Sequence, residues 1–263
     1  MTVADGLITA KNLSDAWLKT LHAVSDAPGR KQFHVFTRIE QPLPEDAGIR
    51  DVAERLLAGR GLASVETVAN TIFPAQMAAN ADGYEELVLR YRAAYSTIKR
   101  LSRGSARGTY FGRIVAHPAS SGEYDQLGAL IRKLRSERAH QAPKSARYEV
   151  SVAGPTTQER HPELTDSVDI YKAAKDNSIM AFPCLSFCSF QLGGNLLHMV
   201  AHYRGQRLIE RGYGNYLGLA RLQQYIATEA GLVAGELSVV AGRADADVPK
   251  REIVEATAGL FER

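Results

Sequence analysis

Two thiols, a few arginines and histidines and one asparagine in the last third of the chain carry the chemistry this sequence can offer. Met180-Ala-Phe-Pro-Cys-Leu-Ser-Phe-Cys-Ser-Phe190 sets Cys184 directly after a proline, in an apolar run that reads as a strand over Met180 to Leu192. Proline there removes a ladder donor and marks an edge or a bulge, which re-aims the neighbouring side chain. A thiol so placed is a nucleophile if positive groups favour the thiolate. The alternative is a buried structural cysteine, since free cysteine is among the most buried residue types. Cys188 reads as structural. Four residues of strand hold the two sulfurs roughly 13 Å apart, too far for a disulfide, whose Cα atoms sit within about 7 Å. A reducing, cytoplasmic location is expected.

The next strand, Leu196 to Arg204, gives His198, His202 and Arg204 equal parity, which sets them on one face. Two histidines beside an arginine are either ligand contacts, His202 foremost, or hydrogen-bonded side chains of a sheet face. No third ligand accompanies them, so no metal site is expected. Then come His202-Tyr-Arg-Gly-Gln206, Gly212-Tyr-Gly-Asn-Tyr-Leu-Gly218, a long amphipathic helix and a strand from Gly235 to Gly242. This order, a Pro-Cys strand, an arginine-bearing strand, an asparagine at a helix start and a helix leading to another strand, resembles thymidylate synthase. The match runs without a gap from Pro183 to about Asp247, with Arg204 20 residues and Asn215 31 residues beyond Cys184, as in that family.

The resemblance implies that Cys184 adds to C6 of a pyrimidine nucleotide, that Arg204 binds its 5′-phosphate and that Asn215 pairs with the O4/N3 edge of uracil. A guanidinium fork suits phosphate, and an amide that donates and accepts suits a uracil edge. Upstream, Gly108-Thr-Tyr-Phe-Gly112 and Asp125-Gln126 resemble the segment before the family's Ser-Arg-Arg motif, whose place Ser145-Ala-Arg147 takes. Arg147 is then a phosphate ligand across a homodimer interface, or an ordinary solvated charge. Arg30, in Gly29-Arg-Lys31, stands near another phosphate arginine of the family. For the family's proton-transferring glutamate the choice between Glu66 and Asn70 is open.

The departures are specific. The family's histidine after the cysteine is Leu185, the aspartate after the phosphate arginine is Arg207, and its ribose-holding His-x-Tyr is Asp245-Ala-Asp247. The resemblance implies 5,10-methylenetetrahydrofolate as the one-carbon donor, yet the chain ends at Arg263 without the tail that closes over folate. Three outcomes are open: one-carbon transfer to a uridylate, a nucleotide-binding protein that has lost catalysis, or a biosynthetic enzyme whose substrate is not a nucleotide.

The elements that position these residues are read from periodicity. Leu13, Trp17, Leu21 and Val24 predict a helix over Asn12 to Asp26, and Gln32 to Ile39 alternates as a strand. Helices are predicted at Ile49 to Leu57, Val65 to Phe73, Tyr84 to Leu101 and Tyr124 to Leu134. Short strands are predicted at Tyr110 to Val115, Arg147 to Val152 and Glu236 to Val240. Tyr213 to Ala230 carries a helical stripe that stops at Gly231. Strands and helices without βαβ alternation predict an α+β fold, and the resemblance implies a large mixed twisted sheet flanked by helices in one domain over 1–263. The 263 residues are 45% hydrophobic, ample for a core, and a net charge of +3 gives no electrostatic case for nucleic acid or an anionic membrane. Met1 to Leu7 has no basic residue and no apolar run approaches a membrane span.

Overall fold

A computed structural model describes residues 6–101, 108–119, 122–140, 167–171 and 183–260. Arg147 and the strand expected at Arg147 to Val152 lie outside the described residues.

The first strand, β1 (Leu7–Asn12), is one the sequence reading passes over. Only Ile8 and Ala10 are buried along it, too short an alternation to stand out. It runs into α1 (Leu13–Asp26), where the Asn12 side chain accepts the Asp15 N–H at 2.9 Å and caps the first turn. A turn at Pro28–Arg30 leads to β2 (Lys31–Gln41). The helices α2 (Ala47–Ala58), α3 (Val65–Ile72), α4 (Ala75–Ala79) and α5 (Tyr84–Leu101) follow.

Tyr110–Val115, expected as a strand, is instead the helix α6. Thr109 accepts the Gly112 N–H at 3.0 Å, and Tyr110, Phe111, Ile114 and Val115 are all buried, a spacing that fits one helical face better than two sheet faces. A two-stranded ribbon, β3 (His117–Ala119) with β4 (Gly122–Tyr124), precedes α7 (Gln126–Arg138), and a short β5 (Ser167–Asp169) follows. The last third is β6 (Leu185–Gly193), β7 (Leu196–Tyr203), β8 (Gln206–Arg207), a π-helical turn (Leu208–Gly212), α8 (Tyr213–Ala230), β9 (Val233–Asp245) and α9 (Lys250–Thr257). Gly231 closes α8 at φ 68, the left-handed conformation expected of a glycine after a helix.

Seven strands form one mixed, twisted sheet in the order β1-β2-β9-β7-β6-β5, with β8 beside β9. β1/β2, β7/β9 and β8/β9 are parallel and the other pairs antiparallel. The fold is α+β, a mixed sheet with helices packed on it. Val35, Thr37, Leu237, Val239, Met199, Ala201, Cys188 and Phe190 point into the core beneath α1 and α8. The alternate positions Phe36, Val240, Val200, His202 and Ser189 are only half-buried. No helix among the described residues is long and apolar enough to cross a membrane.

The seat of α8 is set by two glycines. A Cβ on Gly214 would come within 2.5 Å of Val68 Cβ, and one on Gly218 within 2.7 Å of the Ala69 carbonyl oxygen and 2.8 Å of Ile72 Cβ. The expected result for Gly218→Ala is a loss of about 1–3 kcal/mol from overpacking. Thermal unfolding reads this as a Tm lowered by about 2–4 °C per kcal/mol.

Candidate active site

Cys184 stands just outside β6, exposed, while Cys188 is inside it and fully buried. Both are free, and burial pushes the Cys188 thiol up. Pro183 supplies no N–H, and the β6/β7 register shifts between Leu185 and Phe187, leaving Ser186 in a bulge. The Ser186 carbonyl accepts the N–H of Ile170 at 2.8 Å and of Tyr171 at 3.1 Å, which ties the end of β5 to the bulge.

Arg204 closes the same corner from β7. Its backbone N–H donates to the Cys184 carbonyl at 2.8 Å and its Nη2 donates to the Pro183 carbonyl at 2.5 Å. The Tyr171 ring, brought there by the bulge, lies 4.3 Å from the guanidinium carbon. That contact is a cation–π interaction worth about 0.5–1 kcal/mol when exposed and more when desolvated. A guanidinium has five N–H donors, enough to serve a carbonyl and an anion together. The structure therefore brings the predicted thiol and the predicted phosphate arginine to one end of the sheet.

Tyr110, from α6, lies within electrostatic range of Cys184. Burial raises its phenol well above the usual range, Cys184 adds to the rise, and its oxygen takes backbone N–H groups of Leu185 and Cys184. Arg211 lies within electrostatic range of the same phenol. The sequence reading passes over Tyr110, Tyr171 and Arg211. Arg211 had a signal, since it is four residues before Asn215; Tyr171 sits in a stretch without periodicity.

Asn215 is in the first turn of α8 and 4% exposed. The turn before it is firmly held. Trp17 Nε1 donates to the Leu208 carbonyl at 2.8 Å, and the Asp247 carboxylate accepts the N–H of Ile209 at 2.8 Å and Glu210 at 3.2 Å. Asp247 is thus a fastener, a carboxylate on exposed backbone donors. Asp245 pairs with Arg243 at 3.1 Å, and Glu210 holds both Arg207 and Arg211.

Arg30 is exposed at φ 56 and its carbonyl accepts the Ala246 N–H at 3.0 Å. This sets it at the same end of the sheet, beyond the end of β9. His202 faces away from the core, its ring stacked on Phe187 at 5.3 Å and 8°. Burial lowers its pKa below the usual imidazole value. His198 is structural: its Nδ1 accepts the Glu236 N–H at 3.1 Å, and its ring lies close against Gly193 and Gly235.

Asn70 is exposed, and Glu66 is engaged on the outer side of α3. Its carboxylate receives both Arg221 terminal nitrogens at 2.7 and 2.8 Å and Arg50 Nη2 at 3.1 Å. The Arg221 hydrogen bonds, followed by those of Arg50, hold it down to about 2. A depressed carboxylate stabilises the fold above its unfolded value near 4.5, and that contribution is lost as the pH falls toward 2. Glu66→Gln is expected to be less stable at pH 6 and to show a shallower fall in stability between pH 5 and pH 3, measured by urea unfolding. The carboxylate is half exposed, so solvent screening keeps the effect small.

Among the described residues no group of three or more histidine, cysteine, aspartate or glutamate side chains is placed to hold a metal. Neither a protein-family model nor a curated protein matches the chain.

Proposed function

We propose that the chain is a homodimeric enzyme that transfers a methyl or hydroxymethyl unit to C5 of a pyrimidine nucleotide, a uridylate, on a thymidylate synthase-like fold. The single observation that carries this reading is the corner where Arg204 binds both the Cys184 and the Pro183 carbonyls. It brings the Cys184 main chain and the Arg204 guanidinium together at one end of the sheet. In this reading Cys184 adds to C6 of the pyrimidine and pushes electron density to C5. C5 bonds to an electrophilic one-carbon unit, whose carrier departs with the bonding electrons, C5 then loses its hydrogen as a proton, and the thiolate leaves C6. Arg204 and Arg30, with Arg147 from across the dimer, hold the phosphate, and Asn215 orients the base.

The resemblance implies 5,10-methylenetetrahydrofolate as donor. A pterin's N–H edge calls for a carboxylate, and at this end of the sheet those of Glu210, Asp245 and Asp247 are each engaged by arginine or backbone N–H. The described residues do not fit that group, and no step is routed through it.

The fastening role of Asp247, where the family holds ribose, favours a second reading: a nucleotide-binding protein without turnover. Release of tritium from [5-³H]dUMP separates the two. Thiol addition to C6 labilises the C5 hydrogen, so release above the protein-free rate is expected. Tight dUMP binding with no release selects the second reading, and neither binding nor release removes both.

A further inference from the structure

Behind Cys184, on the core side, sits a hydroxyl with no use in the protein. Tyr203 pairs with Leu185 across the β6/β7 ladder and is 0% exposed. Its Oη has no hydrogen-bond partner among the described residues. The polar groups in its electrostatic range are Tyr110, Cys188, Cys184 and Tyr216. Two of them have their hydrogen bonds directed elsewhere. Thr20 donates to the Ala16 carbonyl at 2.7 Å, so in the 3.0 Å Thr20/Thr37 pair Thr37 is the donor, and Tyr216 donates to Thr37 at 3.5 Å. That line of donors runs away from Tyr203. The Tyr110 oxygen is occupied by backbone N–H groups at Cys184 and Leu185. With no partner at its Oη among the described residues, Tyr203 keeps a proton to donate, in a place where an unmet donor is costly.

We infer that Tyr203 is a ligand-binding residue whose hydroxyl donates to a ring oxygen of the molecule held at Cys184, a six-membered lactam ring of the uracil type. The assignment of that ring rests on the proposed function. A hydroxyl reserved for a ligand has a double signature: its removal leaves the free protein as stable as before or more so, and weakens the complex. A hydroxyl met by a fixed internal water shows the reverse.

The test is Tyr203→Phe, with thermal unfolding of the free protein and calorimetric titration with dUMP. The expected results are a Tm unchanged or raised by about 2–4 °C and dUMP affinity lowered roughly tenfold. A variant that binds dUMP like the parent, or whose free form melts several degrees lower, overturns the inference. If the parent itself binds no dUMP, the nucleotide reading fails, and the Tm of the free variant alone decides whether the hydroxyl is reserved.

Discussion

Cys184→Ala is expected to reduce tritium release from [5-³H]dUMP by roughly 10⁴-fold or more, the order of loss when a covalent nucleophile is deleted. The substitution removes an exposed sulfur outside the strand, so the fold should not change and dUMP should still bind. Cys188→Ala makes the control with the opposite profile. It leaves a cavity in the sheet core, so it lowers stability while leaving release at the parental rate. If Cys184→Ala retains release within tenfold of the parent, the attack on C6 is not made by this thiol.

Arg204→Met is expected to weaken dUMP binding by about 2–3 kcal/mol, or roughly 30- to 160-fold, from the loss of charge-assisted hydrogen bonds to phosphate. The loss for deoxyuridine, which lacks the phosphate, should be much smaller. That comparison matters because Arg204 also ties Pro183 and packs under Tyr171. A general loosening of the corner would weaken both ligands alike. Lysine is expected to restore only part of the affinity, because an ammonium cannot reproduce the fork or lie flat under the ring.

Much of this corner is legible in the residues. Pro183 before Cys184 predicts a disturbed strand start, and the register shift at Leu185/Phe187 is that disturbance. Equal parity sets His198 and His202 on one face of β7, whose burial alternates accordingly, and Arg204 follows directly after the strand. The stripe in Tyr213 to Ala230 and the stop at Gly231 predict α8 to the residue. These succeed because period and punctuation are local properties.

The failures are equally physical. Tyr110–Val115 carries strand-forming side chains, but a Thr109 cap and burial on adjacent turns make it a helix, and burial is set by partners distant in sequence. Tyr171 lies in a stretch with no period, since what positions it is the Ser186 carbonyl on another strand. The orphaned hydroxyl of Tyr203 has no sequence signature at all, because it depends on which groups the fold packs around it. Asp245-Ala-Asp247 shows the converse: the sequence marks a difference from the His-x-Tyr of the family it resembles, and only the structure shows that Asp247 fastens the turn before Asn215.

The central claim is that the Cys184 sulfur forms a bond to carbon 6 of a pyrimidine whose phosphate Arg204 holds. 5-Fluoro-dUMP tests it directly, because the C5 fluorine makes C6 more electrophilic toward the thiolate and acid quenching retains the adduct. Denaturing mass spectrometry with peptide mapping is expected to show one nucleotide per chain, on the peptide carrying Cys184 and absent from Cys184→Ala. An unmodified mass at saturating nucleotide, or a label on any other residue, would contradict it.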